Sequence, residues 1–272
     1  MRADFKQVCQ VVHLLVEGLG IRAVCRLAGL NKQTVLHILA AAGERCAELL
    51  DQKILNVKPE PWEIDECWTF VKNKRALKNE IDAGDFYGFF ASGKISKLII
   101  SHAVGKRTYD VARDFMGDIR VRVAGPFQIT SDGWKGFIRG VLDNARHKAH
   151  YATQNKKFAG YNYPIVESQR RYSPGKCVGV TTRTICGHPD PANITTSHAE
   201  RLNLSVRHFN KRFTRLTPCF SRKVENLAHS VALNVAHFNF CRVHSAHNQT
   251  PAQAAGLTNH AWTLDELLTA TI

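Results

Sequence analysis

Three short runs hold the residues best suited to chemistry: Ile64-Asp65-Glu66-Cys67-Trp68, Ile129-Thr130-Ser131-Asp132-Gly133-Trp134 and Ser197-His198-Ala199-Glu200-Arg201-Leu202-Asn203. The first two set a carboxylate in an apolar, strand-like run. The third sets one on a helix that continues into a basic stretch. Two carboxylates held about 4 Å apart repel by ~4 kcal/mol at an effective dielectric of 20, so three that converge must bind protons or share a divalent metal. Oxygen-only ligands favour Mg2+ or Mn2+ over zinc.

Each acid has an ordinary reading beside the catalytic one. Asp65 would be a plain solvated residue on an edge strand, but Trp62, Ile64, Trp68, Phe70 and Val71 around it argue for a buried sheet, where a carboxylate needs a partner. Glu66 falls on the opposite face by alternation and reads as a structural pairing residue. Asp132-Gly133 is also a common turn and helix-cap pair. Ser197-x-x-Glu200 also matches a capping box. Against that local use, Asn203 and Arg207 share the helical face of Glu200 and extend it as a polar stripe.

The elements that would position these residues fall into three parts: 1–58, 59–245 and a C-terminal tail, 246–272, with a short helix near 263–268. Residues 5–50 show helical periodicity throughout. Within them 21–39 fits a helix-turn-helix: Cys25 at the close approach, Gly29 at the left-handed turn, Leu30, Val35 and Ile38 inward, Asn31 capping the second helix. Asn31, Lys32, Gln33, Thr34 and His37 would then meet DNA. An ordinary three-helix bundle is the alternative. Pro59 and Pro61 close this region.

Strands are predicted at 62–71, 86–91, 97–104 and 127–131. Helices are predicted at 108–116, capped by Thr108 and ended near Gly117, and at 134–144. Together they form a mixed sheet with helices against it, and Asp132 follows the carboxyl end of its strand, where open sheets place their sites. Residues 147–196 show only a turn at 173–176, a short strand at 177–181 and a proline-containing loop at 187–193. Helices at 197–214 and 224–240 follow, the second packing on the sheet.

The chain of 272 residues is 44% hydrophobic and 22% charged, which suits a large folded core. Its net charge of +14 calls for a polyanionic partner, most simply nucleic acid. From Glu200 to Lys223 the basic side chains are Arg201, Arg207, Lys211, Arg212, Arg215, Arg222 and Lys223, with Glu200 the one acid. Such a run repels itself without an anion such as a phosphodiester backbone. Arg139, Arg146, Lys148, Lys156, Lys157, Arg170, Arg171 and Lys176 extend the track. No apolar run is long enough for a bilayer and no cleavable leader precedes the first helix, so a cytoplasmic, nucleoid-associated protein with no membrane partner is expected. The eight cysteines include no C-x-x-C pair and read as reduced thiols, with Cys177, Cys186 and His188 the one weak zinc candidate. No P-loop, dinucleotide or nucleophile-elbow pattern occurs.

The runs from Asp65 to Val71, Thr130 to Trp134 and Ser197 to Arg207, in that order and at roughly even spacing, resemble the three signature blocks of bacterial insertion-sequence-one-type transposases. Phe220-Ser221-Arg222-Lys223 and Thr250-Pro251-Ala252 look like further family segments, so the likeness spans most of 62–272. The resemblance implies a DDE-superfamily enzyme: an N-terminal helix-turn-helix followed by a ribonuclease-H-like α/β catalytic core. Asp65, Asp132 and Glu200 would form a triad binding two divalent ions, with Asn203 and Arg207 in support and Arg201, Lys211, Arg212, Arg215, Arg222 and Lys223 on DNA. The substrates would be double-stranded DNA, both the terminal inverted repeats and the target. Joining two ends to one target would require at least a homodimer. A DNA-binding regulator without catalysis and a structure-selective nuclease on the same fold are the alternatives.

Overall fold

The computed structural model describes residues 3–74, 80–159 and 176–270. The basic residues Arg170 and Arg171 and most of the turn at 173–176 lie outside that set. The first three helices are α1 (Phe5–Val16), α2 (Ile21–Ala28) and α3 (Lys32–Lys53). Gly29 ends α2 at φ 65°, a conformation a side chain rarely adopts, and Asn31 caps α3 by accepting from the Thr34 N–H at 2.9 Å. Val24, Val35 and Ile38 turn inward, as the helix-turn-helix reading requires.

The sheet has six strands among the described residues: β1 (Pro61–Val71), β2 (Gly84–Gly93), β3 (Ile99–Gly105), β4 (Phe127–Ser131), β5 (Ala149–Phe158) and β6 (Cys177–Cys186). Their order is β3-β2-β1-β4-β5-β6. The first three form an antiparallel meander, β4 adds parallel to β1 and β5 parallel to β4, and β6 returns antiparallel on β5. Helices α4 (Tyr109–Arg122) and α5 (Lys135–Asn144) connect the parallel strands, and α6 (Ser197–Phe209) and α7 (Val224–Phe240) follow the sheet. Two short helices, α8 (Pro251–Ala254) and α9 (Leu264–Thr269), lie in the tail. This mixed sheet with a helical region at each end of the chain is consistent with a ribonuclease-H-like core.

One face of the sheet is covered by α4 and α5 through Phe89, Phe115, Phe137 and Trp134, whose rings meet at centroid distances of 4.9 to 6.3 Å. The other face carries α6 and α7. Both faces of β1 are therefore buried: Trp62, Ile64, Cys67 and Val71 have no solvent exposure. That places β1 inside the sheet and disposes of the edge-strand reading of Asp65.

Three expectations are corrected and one is extended. Helix α4 does not stop near Gly117 but runs to Arg122, because Ala112, Phe115, Met116 and Ile119 continue one apolar face across the glycine. Thr108 sits at its N-cap, but its side chain caps nothing. The stretch from 147 holds strand β5, whose outer half, Gln154 to Phe158, is polar and half-exposed and so lacks an apolar alternation. Helix α7 packs on β3 as expected and more extensively on α3, and Asn239 bonds it to the sheet. That fully buried side chain accepts from the Ile99 N–H and donates to the Ile99 carbonyl, both at 2.9 Å, beside an irregularity in the β2–β3 ladder.

Arg122 ties the N-terminal helices to the core. Its guanidinium donates to the Leu50 and Ile54 carbonyls at the end of α3 and pairs with Asp118 and Asp51. One continuous set of buried side chains runs from Val11 in α1 through the sheet to Leu268 in α9.

Candidate functional site

The site lies where β1 and β4 part. Their parallel ladder pairs Pro61 with Gln128, Trp62 with Ile129 and Glu63 with Thr130, and stops there. Asp65 and Glu66 lie just past the last pair on β1, and Asp132 just past the end of β4. Past that pair β1 and β4 share no ladder, which leaves a notch between them. Side chains from opposite faces of β1 can therefore turn toward the same point, and oxygens of Asp65, Glu66 and Asp132 lie within 4.8 Å of one another. The notch adjoins the carboxyl end of β4, the side of a parallel strand on which open sheets place ligands.

Two of the three acids singled out from sequence are brought together here, and Glu66 joins them. Alternation along a strand sends Glu66 to the far face, which is why sequence reasoning passed over it. Its signal was two adjacent acids on a strand too apolar to leave either in water. Asp132 also fills the ordinary turn role, since its Oδ1 accepts from the Trp134 N–H at 2.9 Å, but the N-cap of α5 is Trp134 and not the aspartate.

Helix α6 is anchored by Glu63, a third acid of β1. Its Oε2 accepts from the His198 and Ala199 N–H groups at 2.8 and 3.0 Å, at the helix start where such groups lack intrahelical partners. That anchoring aims Asn203 at the notch, and its Nδ2 donates to Asp65 Oδ2 at 2.7 Å. Arg207 lies one turn on, its Nε buried without a hydrogen-bond partner and its charge acting on Asp65. Glu200 stands apart from the group of three: its Oε1 accepts from Lys156 Nζ at 2.6 Å and from Thr196 Oγ1 at 2.9 Å. Ser197 forms no capping box with it, because Thr196 is the N-cap.

Burial pushes the Asp65 carboxyl up to about 6, with the charges of Asp132 and Glu200 adding to the effect. Glu66 is pushed to about 7 by burial and by Asp132, against the pull of Arg107. Arg107 is the nearest counter-charge: its Nε is 2.6 Å from Glu66 Oε1, its Nη2 4.0 Å from Asp132 Oδ2, and its guanidinium lies 4.7 Å from the Trp134 ring centre. Glu66 Oε2 is buried with no hydrogen-bond partner. Three converging carboxylates, all-oxygen donors and an orphaned buried oxygen fit a hard divalent cation. The zinc candidate does not hold, because Cys177 and Cys186 stand at opposite ends of β6, about 30 Å apart at ~3.3 Å per residue.

Of the residues expected from sequence to meet DNA, Asn31, Lys32, Gln33 and His37 are exposed and Thr34 is half-buried at the start of α3. A cleft of about 610 Å³ separates that start from the segment after α6, with Arg22, Arg26, Lys32, Lys211 and Arg222 on its walls and no acid among its lining residues. Arg201, Arg215, Arg222 and Lys223 are exposed. Arg212 turns inward, donating to Ser221 Oγ at 2.9 Å and Ser230 Oγ at 3.1 Å, so this guanidinium braces α7.

No protein-family model matches the chain, and no curated protein matches it. Among solved structures it is similar to a piggyBac transposase, in a cryo-EM synaptic complex with hairpin DNA, at 10% identity and a TM-score of 0.43 over 97% of this chain and 68% of that one. A likeness this distant adds no weight to the site, whose reading rests on its own geometry. Among the described residues no helix is long and apolar enough to cross a membrane.

Proposed function

We propose that the protein is a metal-dependent DNA strand-transfer enzyme of the transposase type, acting on the ends of an insertion sequence through Asp65, Asp132 and Glu200. The observation that carries this reading is the meeting of Asp65, Glu66 and Asp132 within 4.8 Å where the parallel ladder of β1 and β4 stops at the carboxyl end of β4. The three ordered sequence blocks, the exposed start of α3 and the net charge of +14 support it.

Asp65, Glu66 and Asp132 would hold Mg2+ or Mn2+, and Glu200 would complete a two-ion set once Lys156 releases its carboxylate. When bound, the ions supply charge stabilisation for in-line attack by water or a DNA 3′-hydroxyl on a phosphodiester. The chain's own groups do the positioning. Asn203 fixes the Asp65 carboxylate, the Trp134 N–H fixes Asp132, and Glu63 holds the helix that carries Glu200. Arg207 and the exposed or half-exposed members of the basic run, Arg201, Lys211, Arg215, Arg222 and Lys223, would face the phosphate backbone, and the helix-turn-helix (1–58) would read the element ends. Two ends meeting one target make the working form at least a homodimer.

The test is nicking and joining of a plasmid that carries this reading frame with its flanking DNA, with Mg2+ or Mn2+. Native protein should cut and join, and Asp132→Ala should lose about a thousandfold in rate, ~4 kcal/mol of barrier, while binding the same DNA. Binding without cleavage by the native chain would overturn the proposal in favour of a regulator. Cleavage that never yields joined products would overturn it in favour of a nuclease.

A further inference from the structure

On the side of α6 away from the carboxylates lies a second cavity of about 310 Å³. Lys97 from the turn between β2 and β3, His198 and Arg201 from α6, and Arg242 and His244 from the segment after α7 all line it, and its lining includes no acid. These groups are far apart in sequence, so the fold itself gathers the charge.

The acids that act on these cations, Glu60 and Glu63 on Lys97 and Glu17 on Arg242, stand outside the cavity lining. Lys97 donates to the Lys94 carbonyl and contacts His198 Nδ1 at 3.1 Å. Arg242 lies on the Phe209 ring with its Cζ 3.4 Å from the ring centre. The acids that act on Lys97, Glu60 and Glu63, are already engaged by backbone N–H groups of Ile95 and Ser96 and of His198 and Ala199. His244 is held below the usual histidine range by burial and by the charges of His247, Lys97, Arg242 and Arg201, which shows that their field converges there. Cations gathered at this cost without an anion are a site for one.

We propose that this cavity binds a phosphate group, held by Lys97, Arg201 and Arg242 with His198 and His244 as further donors. The inference stands apart from the carboxylate site, because it needs neither a metal nor catalysis. The phosphate is supplied either by a DNA backbone passing behind α6 or by a free phosphate or phosphomonoester.

The experiment titrates inorganic phosphate into the full chain in metal-free buffer, followed by calorimetry and by the NMR signals of the His244 ring. Saturable binding and a rise in the His244 titration midpoint are expected, since an anion cancels the field that disfavours its proton. Arg201→Ala removes an exposed side chain, and Arg242→Gln keeps a stem on Phe209. Each should weaken phosphate at least tenfold with unchanged thermal unfolding, whereas Lys53→Ala should not. A short duplex DNA that displaces phosphate from His244 assigns the site to a DNA backbone. Phosphate binding that duplex leaves untouched assigns it to a small phosphate ligand. Absence of saturable phosphate binding, or wild-type binding by both arginine variants, overturns the proposal.

Discussion

Replacing Arg107 by Gln should tighten divalent-metal binding at the carboxylate notch. Arg107 is the cation already there, 2.6 Å from Glu66 Oε1 and 4.0 Å from Asp132 Oδ2. A unit pair at 4 Å is worth ~4 kcal/mol at an effective dielectric of 20 and ~1 kcal/mol in water. Arg107 and Asp132 are 38% and 48% exposed, which puts their contact near the lower figure. An incoming Mn2+ works against that positive charge, so removing it should gain about 1.4 kcal/mol, or roughly tenfold in affinity. The measurement is calorimetric titration of Mn2+ at pH 8. There the Asp65 and Glu66 carboxyls of the native protein, pushed up to about 6 and about 7, are mostly ionised, and the further rise of Glu66 in the variant works least against the gain. At pH 6 the gain should shrink, because without the guanidinium Glu66 holds its proton more firmly and the ion must displace it. Unchanged or weaker Mn2+ binding by Arg107→Gln at pH 8 would refute the reasoning and leave Arg107 as a brace for Glu66.

Three further outcomes follow from the packing. Gly43→Ala should lower the thermal midpoint: its Cβ would lie 2.4 Å from His229 Cβ and 2.6 Å from the His229 carbonyl oxygen, so α3 and α7 must separate, at ~1–3 kcal/mol or more. An unchanged midpoint would mean that the two helices do not pack this closely. Asn239→Leu leaves the Ile99 N–H and carbonyl buried without partners, costing ~1–3 kcal/mol for each, read as a lower urea midpoint, which a wild-type midpoint would contradict. His237 is pushed down to about 4 by burial and by the charges of Arg242 and His13. The unfolded chain therefore takes up a proton at His237 below about 6.5 that the folded chain refuses until about 4, so this residue's contribution to stability falls across that window and is constant above it. His237→Gln should make urea midpoints less pH-dependent between 6.5 and 4, by ~1–3 kcal/mol over the window, and an equally steep dependence would exclude His237 as a cause.

The sequence by itself determined the elements whose signals are local. Asn31 and Gly29 mark the turn between α2 and α3 because capping and a left-handed backbone are properties of single residues. The alternation of β1 and the period of α7 follow from which side chains leave water, and both were readable without the fold. Asp132 after its strand and Asn203 on the polar face of α6 were legible for the same reason. Strand β5 was not, because half of it lies in water and keeps its place through its neighbours β4 and β6.

The tertiary structure alone decided which carboxylates meet. Strand periodicity sends Asp65 and Glu66 apart, yet the ladder between β1 and β4 ends at Glu63, and past that point both side chains can bend into the open notch beside Asp132. The same holds for Glu200, whose carboxylate is taken by Lys156 from a strand that sequence did not reveal, and for Arg212, whose charge belongs to a basic run but whose guanidinium is turned toward Ser221 and Ser230. Residue type sets what a side chain can do. Where the strands part and which helix lies across them sets what it meets.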